Sequence, residues 1–215
     1  MKVLLTGCNR GIGLELARQF SQDNEVHCLT RSVSDELSKL NTKTYLDFDF
    51  SNDEFLENTE VIPSEIDIAV FNAGMGFFDE DYLDIFTLLE QFMVNAISQV
   101  ALAHRIQTKF KSGTKLVFIS SVMGSTKDNS GQYYGYRASK AALNNLAKTL
   151  SQELKEYGIT VLIFHPGYVQ TEMTEGNGNI TPDQSAKNII DDIARFDIND
   201  SGIFWHTEDK CEIPF

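Results

Sequence analysis

Basic residues are scarce in this chain of 215 residues: 18 Lys and Arg stand against 31 Asp and Glu, a formal net charge of −13 at pH 7. Affinity for nucleic acid or for anionic lipid rests on cations meeting phosphates, so neither nucleic acid nor a membrane is expected as a partner. Cysteine is also rare. Cys8, Cys28 and Cys211 are an odd number with no short paired spacing, which supports neither a disulfide framework nor a zinc site; no metal is expected, and a reducing cytoplasm is the plain inference. No apolar run approaches the roughly 18–20 residues of a membrane span. The chain opens on Lys2-Val-Leu-Leu-Thr6, which already reads as a strand and leaves no room for a signal peptide. Asn179-Ile180-Thr181 has the form of a glycosylation acceptor, but without a secretory signal it carries little weight.

What is present is ordinary globular composition, 42% hydrophobic and 23% charged, in a length that suits one domain over 1–215. Short apolar runs alternate with helical patterns throughout, which is the signature of parallel βαβ units covered by helices on both faces. Seven strands are expected in one open sheet: Lys2–Thr6, Glu25–Thr30, Thr44–Asp49, Ile66–Phe71, Lys115–Ser120, Thr160–His165 and Ile203–Trp205. Helices are expected at Leu14–Phe20, Phe86–Phe110, Arg137–Glu156 and from Thr181-Pro182 to Phe196. In the third of these, Leu143, Leu146, Leu150 and Leu154 recur at helical spacing and Gly158 supplies a stop. Gly74–Asp81 and Gly167–Ile180 follow the carboxyl ends of strands, where open α/β sheets bind ligands; the second is expected to be mobile.

The first strand runs into Thr6-Gly-Cys-Asn-Arg-Gly-Ile-Gly13. Glycines at 7, 11 and 13 let the backbone approach a pyrophosphate, and the following helix N-terminus favours its charge. A dinucleotide is the implied ligand; a tight βα turn without a ligand is the competing reading. The second strand ends in Thr30-Arg31-Ser32, about twenty residues beyond the loop, where an acidic residue would bind a ribose 2′-hydroxyl. Arg31 stands there instead and suits a 2′-phosphate, so NADP(H) is preferred over NAD(H). Arg10 can add a second cation, although either arginine could be merely solvated surface.

Tyr136 and Lys140 are four residues apart near a helix start, which places phenol and ammonium on one face. A phenol has an ordinary pKa near 10, and a neighbouring cation brings its proton within reach of neutral chemistry. Ser121, after the fifth strand, can polarise a carbonyl oxygen. Asn95 lies in a mostly apolar helix and needs partners, structural or functional. Cys8 sits near a helix N-terminus, where a thiolate is favoured, but a small residue filling a tight turn is the better account. For His165, packing beside Pro166 outweighs catalysis.

Together these residues resemble a single-domain short-chain dehydrogenase/reductase. Thr6-Gly-x-x-x-Gly-Ile-Gly13, Asn72-Ala-Gly74, Asn95, Ser121, Tyr136-x-x-x-Lys140 and Pro166-Gly-x-Val-x-Thr171 occur in that family's order across nearly the whole chain. Tyr136-Arg-Ala-Ser-Lys-Ala-Ala-Leu-Asn144 with His165-Pro-Gly-Tyr-Val-Gln-Thr171 is similar to the C-factor and sniffer-like carbonyl reductase branch. The resemblance implies a Rossmann-type doubly wound α/β sandwich with a mostly parallel seven-stranded sheet. It implies a proton from Tyr136, a lowered tyrosine pKa and ribose contact from Lys140, carbonyl orientation by Ser121 and a relay water at Asn95. Cofactor contacts are implied at Gly7, Asn9, Arg10, Gly11, Ile12, Gly13, Arg31, Asp49, Phe50, Asn72, Ala73, Gly74, Tyr136, Lys140, Pro166, Gly167, Val169 and Thr171. A homodimer through helices 86–110 and 137–156 is implied as well.

Departures from the family pattern are informative. Ser121 precedes Tyr136 by 15 residues where the family more often has 13, so Met123–Gln132 is expected to carry an insertion. The usual Asp-Gly near the C-terminus is replaced around Asp209-Lys210, leaving the packing of Cys211–Phe215 open, and Thr171–Thr181 is short for a substrate lid. The expected activity is NADPH-dependent reduction of a ketone, aldehyde, diketone or quinone. The alternative is an NADP(H)-binding signalling protein with little turnover; a sugar-nucleotide epimerase fails on glycine spacing and on length.

Overall fold

The computed structural model describes residues 1–76, 83–127 and 129–215. Among them the strands are β1 (Lys2–Thr6), β2 (Glu25–Leu29), β3 (Lys43–Tyr45), β4 (Ile66–Phe71), β5 (Phe110–Ile119), β6 (Thr160–His165), β7 (Phe204–His206) and β8 (Cys211–Glu212). They form one sheet in the order β3-β2-β1-β4-β5-β6-β7-β8, parallel except for the last pair. The order reverses between β1 and β4, so a crevice opens above the carboxyl ends of these two strands. The helices are α1 (Gly11–Phe20), α2 (Asp35–Ser38), α3 (Ile85–Phe92), α4 (Ser98–Arg105), α5 (Tyr134–Leu154) and α6 (Pro182–Arg195).

Strand alternation sends side chains to two cores. Leu116 and Phe118 of β5 and Val161 and Ile163 of β6 pack beneath α5 with Leu143, Ala147 and Leu150. Val117, Ile119, Leu162 and Phe164 face the other way, onto Leu16 and Ala17 of α1 and Ile189 and Ile193 of α6. Both faces of the sheet are therefore covered, as a parallel sheet requires.

Several expectations are corrected. The sheet has eight strands rather than seven: the tail adds the short antiparallel β8, where two residues are too few for a readable alternation. This tail is docked, with Ile213 buried and the Pro214 carbonyl accepting from Ser125 Oγ at 2.6 Å. β3 ends at Tyr45 and not at Asp49, because Asp47 takes a positive φ of 64° and turns the chain out of the sheet. The helix expected at 86–110 is α3 and α4 joined by a π-helical turn over Met93–Ile97, and Phe110 belongs to β5, paired with Ile66. Length and composition of Ile85–Arg105 also make it apolar enough to cross a membrane, where the sequence suggested no such segment. It is part-buried, and Leu102 and Ala103 are in the core beneath α5. Helix α5 begins at Tyr134, three residues early, and Gly158 ends the following turn in the left-handed region with φ 71°.

The loop at 167–180 is closed on itself: Val169 bridges Ile180, Gln170 N donates to the Ile180 carbonyl, and Thr174 Oγ1 donates to the Val169 carbonyl at 2.8 Å. Of the loop expected at Gly74–Asp81, residues from 77 onward lie outside those described, as does Asp128 in the stretch Met123–Gln132.

Candidate active site

The glycine loop is clamped to β4. Thr6 Oγ1 accepts from the backbone N–H of both Asn72 and Ala73 at 3.0 Å, and Asn72 Nδ2 donates to the Gly7 carbonyl at 3.0 Å. Gly7 has φ 70°, and a Cβ there would come within 2.8 Å of Ala73 Cα, so only glycine fits. A Cβ on Gly11 would meet Thr171 Cγ2 at 3.3 Å, which puts Thr171 opposite the loop across the crevice. Ile12 packs down onto the α1 side of the core. The N-terminus of α1 has no side-chain cap and no acidic residue in its first turn, leaving its N–H groups for an anion.

The corner expected to receive a 2′-phosphate is organised by Asn9. Its Nδ2 donates to the Ser32 carbonyl and hydroxyl, and its Oδ1 accepts from Ser34 N at 2.9 Å, pinning the loop that carries Arg31. Arg31 is 75% exposed and lies 3.5 Å from Asp49. Burial would raise the Asp49 carboxyl, but the Ser51 N–H and the Arg31 guanidinium outweigh it and hold the group below its ordinary value. Arg10 pairs with Glu172, just beyond Thr171, a partner that no sequence pattern announces. Phe50 is core: it is buried against Phe55, and its carbonyl accepts from Ser98 Oγ. Val169 is buried, Pro166 accepts from Ser185 Oγ, and Gly167 has φ 94° with no room for a Cβ beside Glu208 and Ile180.

Ser121, Tyr136 and Lys140 come together at the carboxyl ends of β5 and β6. Gly124 allows the approach, since a Cβ there would lie 2.8 Å from the Lys140 backbone. Tyr136 is 9% exposed; burial raises its phenol, and a hydrogen bond with Ser121 partly reverses that. Ser120 points the other way, into Asn144 Oδ1 at 2.5 Å, as strand alternation requires. Tyr134 is exposed at the head of α5. Asn95 occupies the π-turn, a distortion frequent at functional sites. Its amide donates to the Met75 carbonyl and Ser139 Oγ and accepts from Met75 N at 2.8 Å, a three-way anchor that includes Ser139, which the sequence did not flag. A Cβ on Gly74 would touch both Asn95 Oδ1 (3.2 Å) and Lys140 Nζ (3.5 Å), so the two polar groups share one small space.

Lys140 is buried, donates to the Ile119 carbonyl at 2.9 Å, and sits 5.8 Å from the centre of the Tyr136 ring. Burial lowers it from 10.5 to about 8. Below about pH 8 the amine is charged whether folded or not, and folding bears its desolvation. Between about 8 and 10.5 only the unfolded chain binds the proton, so this group makes stability rise with pH through that window. Lys140→Met is accordingly expected to stabilise the cofactor-free protein by about 2–3 kcal/mol at pH 7 in urea unfolding, with a gain that fades toward pH 10. Unchanged stability would show that the Ile119 bond offsets the burial. Cys8 is buried in contact with Cys28, and burial raises its thiol, which suits a packing residue rather than a thiolate. Among the described residues no cluster of His, Cys, Asp or Glu could hold a metal.

A glycine loop at the switch point of a doubly wound sheet, with Ser121, Tyr136 and Lys140 converging at the carboxyl end of β5, defines a dinucleotide-binding oxidoreductase fold. The chain belongs to the short chain dehydrogenase family, whose model matches residues 1–180. It is 30% identical over 219 residues to the 1-hydroxy-2-glutathionyl-2-methyl-3-butene dehydrogenase of Rhodococcus sp. (strain AD45), covering 96% of both chains. The C-signal of Myxococcus xanthus is 28% identical over 165 residues, 73% of this chain and 97% of the relative. An NADPH-bound carbonyl reductase from chicken fatty liver superposes with a TM-score of 0.87 at 25% identity, covering 100% of this chain and 98% of that one. The likeness to the C-factor and sniffer-like branch read from the motifs accords with these relatives.

Proposed function

We propose that this protein is a cytoplasmic, single-domain, NADPH-dependent reductase of small ketones, aldehydes, diketones or quinones, with its substrate over the short loop at 171–181. The observation that carries the reading is the convergence of Ser121, Tyr136 and Lys140 at one buried point at the carboxyl end of β5. A fully protonated phenol is what reduction needs, because the alkoxide that forms takes its proton from the acid. Ser121 orients the carbonyl oxygen toward Tyr136, and Lys140 supports the phenolate once the proton has left. When bound, the nicotinamide supplies the hydride. The residues fit such a cofactor: Gly7 and Gly13 let the loop close onto Asn72 and Ala73, Gly11 faces Thr171 across the crevice, and the uncapped N-terminus of α1 is left for a pyrophosphate. Asn9 holds Arg31 at the adenosine end, with Asp49 as a partner that a 2′-phosphate would displace.

NADPH oxidation by the purified protein across a mixed panel of diketones, quinones and aldehydes tests the activity, and binding without turnover on any of them would sink it. Cofactor choice is separable. Arg31→Asp is expected to weaken NADPH binding by about 10-fold or more, the size of a lost charge-assisted contact, with little change for NADH. Equal losses would make Arg31 structural.

The resemblance to C-signal favours one other reading, a signalling protein that binds NADP(H) and turns over little. The assembled Tyr136 and Lys140 argue for turnover. A homodimer also belongs to the proposal, since Ile85, Phe86, Leu89 and Ile97 expose an apolar stripe along α3 and the π-turn, Phe86 to 82%. A double change of Phe86 and Leu89 to Glu should give a monomer in light scattering.

A further inference from the structure

Helix α4 carries a glutamine at a core position, where an apolar residue is the ordinary choice. Gln99 is fully buried, in a helix whose Leu102 and Ala103 pack into the core, and the reaction as described does not use it. A buried amide costs free energy unless both its ends find partners. Both do here. Gln99 Oε1 accepts from Thr6 Oγ1 at 3.2 Å, and Gln99 Nε2 donates to the Val94 carbonyl at 2.9 Å. The opposite orientation of the amide would pair neither end. The Thr6 hydroxyl already accepts from the N–H groups of Asn72 and Ala73, which leaves it a proton to give, and the Val94 carbonyl can only accept.

The two partners of Gln99 belong to the two halves of the site. Thr6 closes β1 and clamps the glycine loop to β4, with Asn72 Nδ2 reaching the Gly7 carbonyl. Val94 lies in the π-turn, where the Ser98 N–H bonds the Met93 carbonyl five residues back. The Val94 carbonyl belongs to the peptide bond that enters Asn95, so the amide that holds it sets the plane of that peptide. Asn95 in turn grips Met75 and Ser139, and a Cβ on Gly74 would meet both Asn95 Oδ1 and Lys140 Nζ. A continuous polar chain thus runs from the Gly7 carbonyl through Asn72, Thr6 and Gln99 to the peptide of Asn95.

We propose that Gln99 is a positioning residue for carbonyl reduction, fixing the π-turn and its Asn95 against the glycine loop so that the dinucleotide site and the Lys140 end of the active site keep one register. The inference rests on the reductase reading above. The two bonds of Gln99 go to Thr6 and Val94, so it acts on the loop through the first and on Asn95 through the second. Methionine at this position would fill a similar volume, but it would leave the Thr6 hydroxyl proton unpaired and the Asn95 peptide free to tilt.

Gln99→Met is expected to lower kcat at saturating NADPH about tenfold or more and to weaken NADPH binding about tenfold. The KM for the carbonyl compound should not change, because Ser121 and Tyr136 stand outside the chain. In an Asn95→Ala background the same change should cause no further loss of kcat, since its effect passes through Asn95. Gln99→Glu, assayed at about pH 6, should return both quantities to near wild type: a carboxylic acid buried this deeply keeps its proton and can accept from Thr6 while donating to the Val94 carbonyl. Thr6→Val breaks the chain from the loop end and guards against a methionine variant that does not fold; it should lower kcat with the same unchanged carbonyl KM. Wild-type kcat in folded Gln99→Met or Thr6→Val, equal losses in Gln99→Glu and Gln99→Met, or full additivity with Asn95→Ala would overturn the role, and a lower Tm with intact kinetics would reduce Gln99 to packing. Wild-type protein that reduces no carbonyl compound would instead sink the reductase reading and the positioning role with it.

Discussion

Tyr136→Phe is expected to abolish carbonyl reduction, by about 10²–10⁴-fold in kcat, while NADPH binds with nearly wild-type affinity. The change removes one oxygen from a ring that is already buried, so packing survives and only the proton donor is lost. The Ser121 hydroxyl remains, but it loses its tyrosine partner. Ser120 is turned into Asn144, and Tyr134 is exposed with no lysine four residues on. Fluorescence titration with NADPH, alongside steady-state rates, separates binding from chemistry. Retained turnover would show that the proton comes from elsewhere, and Tyr134→Phe, expected to be neutral, is the matched control.

Gly13→Ala should be nearly as damaging, for a different reason. A Cβ at this position would lie 2.5 Å from Asn72 Nδ2 and inside contact distance of the Gly7 carbonyl oxygen. Both are part of the clamp between the glycine loop and β4, so one methyl pushes on backbone that has nowhere to go. Overpacking of this kind costs about 1–3 kcal/mol, and NADPH affinity should fall about tenfold or more as the loop widens. Thermal unfolding with and without NADPH reads both effects: a lower Tm, and loss of the cofactor-induced rise. Gly176→Ala is the comparison. That residue has φ 80° but open space around it, so the expected cost is the backbone term of about 1–2 kcal/mol with binding preserved. Normal NADPH affinity in Gly13→Ala would mean that the loop does not cradle the phosphates.

The alternation of short apolar runs with helical patterns was enough to read a covered parallel sheet, because each parallel strand is buried on both faces and each helix on one. The strands that periodicity does not place are those governed by something else. β3 stops where Asp47 turns left-handed, and β8 exists because the tail docks through Ile213 and Pro214. In the same way, a sequence period cannot show the π-turn at Asn95, which shifts the register of a continuous helical pattern by one residue.

For the site, residue types at short spacing were legible. Glycines 7, 11 and 13 and the pair Tyr136 and Lys140 lie within single turns, where local geometry follows from chain order. Contacts between segments far apart arise only in the folded chain: Asn9 holding Ser32 and Ser34, Glu172 meeting Arg10, Ser139 completing the anchor of Asn95, and the His165 ring meeting His206 edge-on. Architecture and the chemistry on offer follow from chain order alone, since both rest on periodicity and on residue type. Tertiary structure decided which groups are paired, buried or left with an unmet hydrogen bond, because burial and partner choice arise only when distant strand ends are brought to one edge of the sheet.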